Sequence, residues 1–252
     1  MTRVVLVHGF TGSPASFEDL LAGLHRRLPR LRAFCPLLLG HGLRSGAPPA
    51  RFEQEVDRLA EGVQEAGFSG AHLCGYSLGA RLSLGLLGRH GRLFSGATLI
   101  GLHPGLTNTA ERAARVDSDE RWCQLLDREG VQGFLRAWQG QALFGTQRQL
   151  PAAQLARQQA IRERHTAEGL QRSLRVVGLG QMPDLRGVLL AQPLRVRLVV
   201  GALDAKFVAL AQHLAQATGV GWESVAGAGH NLLLEAPELL ARVLIRALEV
   251  SA

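Results

Sequence analysis

The chain opens on an unbroken apolar run, Val4-Val5-Leu6-Val7, and then turns to His8-Gly9-Phe10. A short β-branched run with no polar position predicts a parallel strand buried on both faces. Similar runs place further strands within Leu31 to Leu39 and at Ala71 to Cys74, Ala97 to Ile100, Leu194 to Val200 and Gly221 to Val225. Between them apolar residues fall at helical spacing: Ser16 to Leu28, Phe52 to Ala66, Leu78 to Arg89, Leu203 to Ala217 and Pro237 to Val250. Strand and helix alternate, which predicts an α/β fold with a mostly parallel sheet flanked by helices.

The alternation stops between His103 and Arg186. That stretch is rich in Arg and Gln, holds several helical segments and offers no convincing strand. An all-helical insertion after the strand at Ala97 to Ile100 would lie over the C-terminal edge of the sheet. The expectation is a core of residues 1–102 and 187–252, with a helical lid at 103–186.

Composition narrows the class. A 252-residue chain with 46% hydrophobic residues is ordinary for a soluble enzyme domain. No apolar run reaches the roughly 18 residues of a membrane span, and with a strand expected from the first residues no signal peptide is expected. Cys35, Cys74 and Cys123 are scattered and odd in number, without metal or disulfide spacing. Cys74 reads as a small buried hydrophobe. A reduced cytoplasmic protein is expected, as a monomer or small homo-oligomer without metal or organic cofactor. The formal charge of +7 is carried almost wholly by arginine, Lys206 being the only lysine. No basic run is interleaved with aromatics, so nucleic acid is not an expected partner. The excess reads as a solvated surface plus an anion-binding pocket.

The chemistry centres on Gly75-Tyr76-Ser77-Leu78-Gly79, between a predicted strand and a predicted helix. Gly-x-Ser-x-Gly in that context is a nucleophile elbow, with small residues where the chain turns sharply. Serine needs a base, and the base needs an orienting acid. Asp204 and His230 follow the last two strands, in the order Ser, Asp, His. An oxyanion hole would draw on the amides of Leu78 and Phe10. His8 reads as a structural hydrogen-bonder, and His41 as a loop residue near the site mouth. His25, His72, His90, His103, His165 and His213 show no metal spacing and suggest no role at the site. Arg81 lies one helical turn past Ser77. A buried cation there requires an anion. An internal carboxylate and a substrate carboxylate satisfy that requirement equally.

These residues, with His103-Pro104-Gly105-Leu106, Glu111-Arg112-Ala113-Ala114-Arg115, Pro183-Asp184-Leu185, Asp204-Ala205-Lys206-Phe207 and Gly229-His230-Asn231, resemble one family. It is that of the 2-succinyl-6-hydroxy-2,4-cyclohexadiene-1-carboxylate synthases of menaquinone biosynthesis, lyases on the α/β-hydrolase fold. The resemblance implies a substrate with three carboxylates and loss of pyruvate after proton removal by the triad. It also implies substrate-binding roles for Arg81, Arg115, Arg162, Tyr76 and Trp138. Arg164 lies close enough to Arg162 to confuse the register, and Trp138 reads equally well as core of the insertion. The usual Asp-Leu-Pro-Gly-His-Gly loop is Leu37-Leu38-Leu39-Gly40-His41-Gly42 here, which bears on the shape of the pocket mouth. Ala80 stands where a second glycine is usual.

Three functions fit this inventory: the lyase, a serine hydrolase acting on an acidic ester or thioester, and a non-catalytic binder. The intact triad argues against the binder. The arginines, not the triad, favour the lyase over the hydrolase.

Overall fold

The computed structural model describes residues 2–42, 48–191 and 196–250. Its strands are β1 (Arg3–Val7), β2 (Arg32–Phe34), β3 (Ala71–Tyr76), β4 (Phe94–Ile100), β5 (Val196–Gly201) and β6 (Gly221–Val225). They form one six-stranded sheet in the order β2-β1-β3-β4-β5-β6, and every pairing among the described residues is parallel. Leu194, the expected first residue of the fifth strand, lies outside the described residues.

Alternation along β1 explains why the sheet is covered twice. Val5 and Val7 join one apolar cluster, with Val56 and Leu59 of α2 (Phe52–Glu65) and Leu82 and Leu86 of α3 (Leu78–His90). Val4 and Leu6 join the other, with Leu20 and Leu24 of α1 (Glu18–Arg27). All four β1 side chains are fully buried. Each such burial is worth roughly 1.5–3 kcal/mol, so this run resists any polar substitution.

The first helix starts later than the hydrophobic spacing suggests. A 3-10 turn at Pro14–Phe17 precedes it, because Ser13 and Ser16 bond reciprocally with the backbone around the turn. Between β4 and β5 run α4 (Thr109–Gln139), α5 (Ala152–Arg162), α6 (Ala167–Val177) and α7 (Arg186–Ala191). Gly130, at φ 64°, interrupts α4. This insertion has its own small core of Cys123, Leu126, Phe134, Leu135, Leu170 and Leu174, which packs on Phe10 of the loop after β1. The chain closes with α8 (Ala205–Thr218), α9 (Leu232–Glu235) and α10 (Pro237–Val250). No helix among the described residues is long and apolar enough to cross a membrane.

Register fixes where chemistry can occur. Val7 pairs with Gly75, Tyr76 with Ile100, Ile100 with Val199 and Gly201 with Val225. The strands therefore end together, and the loops carrying Phe10, Ser77, His103, Asp204 and His230 emerge at one edge. That is where ligands bind in open parallel sheets.

Candidate active site

Ser77 sits at φ 53° and ψ −108°. A non-glycine residue in that region costs on the order of 1–3 kcal/mol. The surroundings enforce it: Ser77 donates its N–H to the Ile100 carbonyl at 2.8 Å, and its own carbonyl accepts from Arg81 at 3.1 Å. The turn is tight enough to require both flanking glycines. A Cβ at Gly79 would lie 2.0 Å from the Val7 carbonyl oxygen, and one at Gly75 would lie 2.4 Å from Ser83 Oγ.

The Ser77 hydroxyl donates to His230 Nε2 at 3.1 Å, and His230 Nδ1–H donates to Asp204 Oδ2 at 2.7 Å. The carboxylate can only accept, so it fixes the proton on Nδ1 and leaves Nε2 free to receive one. Asp204 is held in turn by Phe207 N–H at its Oδ1, 3.3 Å away, and so caps α8. That cap is why the helix begins at Ala205 and not at Leu203. The His230 ring is enclosed by Phe207 and Tyr76, at centroid distances of 4.6 and 5.6 Å. Such a chain can move a proton from serine to imidazole with the new charge compensated by the carboxylate.

Sequence reasoning missed two supports. Glu235 accepts from Gly229 N–H at 2.7 Å and from Asn231 N–H at 3.1 Å, clasping the amides on either side of His230. His41, expected near the site mouth, is buried. Its Nε2 accepts from Thr11 N–H at 3.0 Å and its Nδ1–H donates to the Leu39 carbonyl at 2.9 Å. It therefore holds the loop after β1, where Thr11 takes φ 61°. His8 behaves as expected, with Nδ1–H on the Gly9 carbonyl at 2.9 Å. The amides of Phe10 and Leu78 donate to no protein acceptor among the described residues.

Two cavities meet at Ser77 and His230, with Phe10 and Trp138 on the shared wall. The larger, about 500 Å³, is lined by Arg81, His103, Arg115 and Lys206. The smaller, about 120 Å³, is lined by Tyr76 and Arg162. Arg162 is buried whereas Arg164 is exposed, so only Arg162 reaches a cavity. Trp138 lines both cavities and also packs against Phe10, Trp122 and Phe134, with ring centroids 5.1, 5.1 and 5.4 Å away. Core packing and cavity lining thus coincide in one side chain.

The arginines differ in what balances them. Arg81 donates to the Val177 carbonyl at 3.2 Å and has no carboxylate within ion-pair reach among the described residues. Burial, then Arg115, pushes it down to about 9, against the pull of Asp119, so it stays a cation at neutral pH. Arg115 is paired with Asp119 at 2.9 Å, a partner that the sequence did not reveal. Arg162 lies over the Phe144 ring at 5.8 Å, with its Nη1 buried and unpartnered. Burial pushes it down to about 10. Tyr76 is pushed upward by burial, partly offset by Arg162. His103 lines the larger cavity, against the expectation of no role at the site. Burial, then Arg81, Lys206 and Arg115, pushes it down to about 4. Among the described residues no three His, Cys, Asp or Glu side chains converge to hold a metal ion.

The profile of the alpha/beta hydrolase family matches residues 4–243. The 2-succinyl-6-hydroxy-2,4-cyclohexadiene-1-carboxylate synthase of Enterobacter sp. (strain 638) is 30% identical over 247 residues, 98% of this chain and 92% of the relative. The protein of the same name from Salmonella paratyphi C (strain RKS4594) is 31% identical over 234 residues, 93% of this chain and 88% of the relative. MenH from S. aureus has the same fold, with a TM-score of 0.90 at 22% identity, over 99% of this chain and 94% of that one. A malate-bound esterase from Thermogutta terrifontis follows at 0.78 and 20% identity, over 100% and 90%. By this sequence likeness the chain belongs to the alpha/beta hydrolase family and, within it, to the 2-succinyl-6-hydroxy-2,4-cyclohexadiene-1-carboxylate synthases.

Proposed function

We propose that this enzyme acts in menaquinone biosynthesis, eliminating pyruvate from 2-succinyl-5-enolpyruvyl-6-hydroxy-3-cyclohexene-1-carboxylate. The relatives' name supports the product. One observation in the site supports the substrate: Arg81 and Lys206 border the larger cavity and Arg162 the smaller, and none has a carboxylate partner among the described residues. Buried Arg162 and half-buried Arg81, desolvated cations without counter-charge, together with exposed Lys206 favour a polyanionic ligand. A neutral ester would leave them unpaired.

In this reading Ser77 is a general base. His230 takes the hydroxyl proton while Ser77 Oγ removes the ring proton beside the succinyl ketone. The released electron pair forms an enolate, steadied by the amides of Phe10 and Leu78. The pair then moves through the ring double bond and expels the enolpyruvyl oxygen. The leaving group takes up a proton and becomes pyruvate, and the ring is left as the 2,4-diene. Arg81, Arg115, Arg162, Tyr76 and Trp138 bind and orient the substrate, which lowers the entropic part of the barrier. The substrate is a small polycarboxylate, and no step requires a metal or organic cofactor.

A coupled assay of pyruvate release, run beside a panel of p-nitrophenyl esters, tests the reading. Rapid pyruvate release with slow ester turnover is expected, and rapidly quenched enzyme should show its unmodified mass. An acyl adduct on Ser77, or ester turnover outpacing pyruvate release, would make the enzyme a serine hydrolase of acidic esters instead.

A further inference from the structure

His103 follows β4 at the sheet edge that carries Ser77 and lines the larger cavity with Arg81, Arg115 and Lys206. Its Nδ1 accepts from Gly105 N–H at 3.2 Å. An imidazole nitrogen that accepts from an amide carries no proton, so the proton of the neutral ring sits on Nε2. The ring's remaining polar function is thus a donor in a cavity whose other basic groups are donors as well.

The setting is held rigidly. Gly105 lies at φ 116° against Pro183 and Asp184, and a Cβ there would sit 2.4 Å from the Pro183 carbonyl oxygen. Leu185 N–H donates to the Pro104 carbonyl at 2.8 Å. Arg112 donates to the Leu106, Gly180 and Met182 carbonyls and so ties the same loop down.

We propose that His103 is a substrate-binding residue whose Nε2–H donates to a carboxylate seated among Arg81, Lys206 and Arg115. This deepens the polyanion reading of the larger cavity and rests on it. Each element around the cavity has its charges accounted for. Arg81 comes from α3, Arg115 from α4 with its partner Asp119, and Lys206 from the start of α8 beside Asp204, which is engaged by His230. On the segment packed against Gly105, Asp184 is engaged by Arg186 at 2.9 Å. Burial, and then the cations that outnumber free anions around the ring, keep it neutral and a donor when the cavity is empty of anion. The low value of His103 agrees with that balance.

A bound dianion reverses the balance. It cancels the repulsion from the cations and favours the imidazolium, as an adjacent opposite charge does, the added proton going to Nδ1 with loss of the Gly105 N–H bond. Anion binding and proton uptake at His103 are then linked. Affinity for the anion rises as pH falls through the His103 transition of the complex toward that of the free protein.

The test is NMR titration of histidine-labelled protein with ethane-1,2-disulfonate, a dianion that does not ionise in the range used. His103 is assigned by the resonance lost in His103→Leu. In the free protein it should remain the Nε2–H tautomer down to about pH 5. Saturating disulfonate should move its transition upward by roughly 1–3 pH units. Arg81→Met should raise the transition without any anion, which removes reliance on the folding of the His103 variant. His103→Leu should weaken disulfonate binding about ten-fold, the loss of one charge-assisted hydrogen bond. An ordinary histidine titration that ignores both disulfonate and Arg81→Met would overturn the proposal, as would failure of the wild-type cavity to bind the probe. Linked titration in a protein that releases no pyruvate would uphold His103 as an anion ligand and count against the lyase alone.

Discussion

The two cavities that meet at Ser77 and His230 are neighbours with opposite charge economies. The smaller is bordered by Arg157 and Arg162 but also by Glu18 and Asp19, two cations against two acids. Its Arg157 pairs with Asp19 at 3.1 Å in the open. The larger is bordered by Arg81, Arg115 and Lys206 against Asp204 alone, three cations to one acid. Asp204 is already committed to His230, and Asp119 balances only Arg115. Ser77 thus faces, on one side, a chamber whose charges sum to zero but in which buried Arg162 is left without a carboxylate, and on the other a chamber with a net positive charge. Charge left over after internal pairing, not the number of arginines, indicates where an anion is held.

Damage at the wall between the chambers should abolish function in both. Ser77→Ala and His230→Ala are each expected to lower pyruvate release by orders of magnitude with folding retained. The double variant should be little worse than either single, since groups acting as a unit lose most of their effect at the first deletion. Multiplicative losses in steady-state rates would break the triad.

Within the chambers, cations without partners should matter most. Arg162→Ala should cost about ten- to hundred-fold in kcat/KM, matching roughly 1.5–3 kcal/mol for a charge-assisted pair. Arg115→Ala should cost clearly less, because Asp119 already takes much of its charge. Equal losses would contradict the ranking by residual charge.

Glu235→Gln keeps the size of the clasp and removes its charge. A fall of about ten-fold in kcat with little change in KM is expected from a misplaced His230, since small misplacements near the chemistry are costly. A change confined to KM would argue against a positioning role. Smallest of all is the mouth of the smaller chamber. Arg157→Ala should shift stability by about 0–1 kcal/mol in denaturant titrations, as exposed pairs do, and leave pyruvate release almost unchanged.

How far the sequence foretold this depends on the kind of contact involved. The buried strands were readable because a parallel strand covered on both faces has no polar position, as in Val4 to Val7. Ser77, Asp204 and His230 were readable because each follows a strand, although the edge strand before His230 carries Glu223 and Ser224. Pairings between elements distant in sequence left no local trace. Nothing in the sequence tells that Arg81 meets the Val177 carbonyl, that Glu235 bridges the amides around His230, or that His41 supports Thr11. Asp119 lies four residues after Arg115, a spacing that allows an ion pair on any helix, yet the pair matters only because it sits at a cavity. His103 looked unremarkable because its surroundings come from α3, α4 and α8.

The most direct test of the account measures two activities on one substitution. Pyruvate release and hydrolysis of neutral p-nitrophenyl acetate are to be followed in the wild type and in Arg81→Ala. The account predicts about a ten- to hundred-fold loss in kcat/KM for pyruvate release, partial recovery in Arg81→Lys because the planar fork is missing, and almost no change for the acetate ester. Equal loss of both activities would show that Arg81 supports the serine itself and would contradict the cationic chamber as the source of specificity.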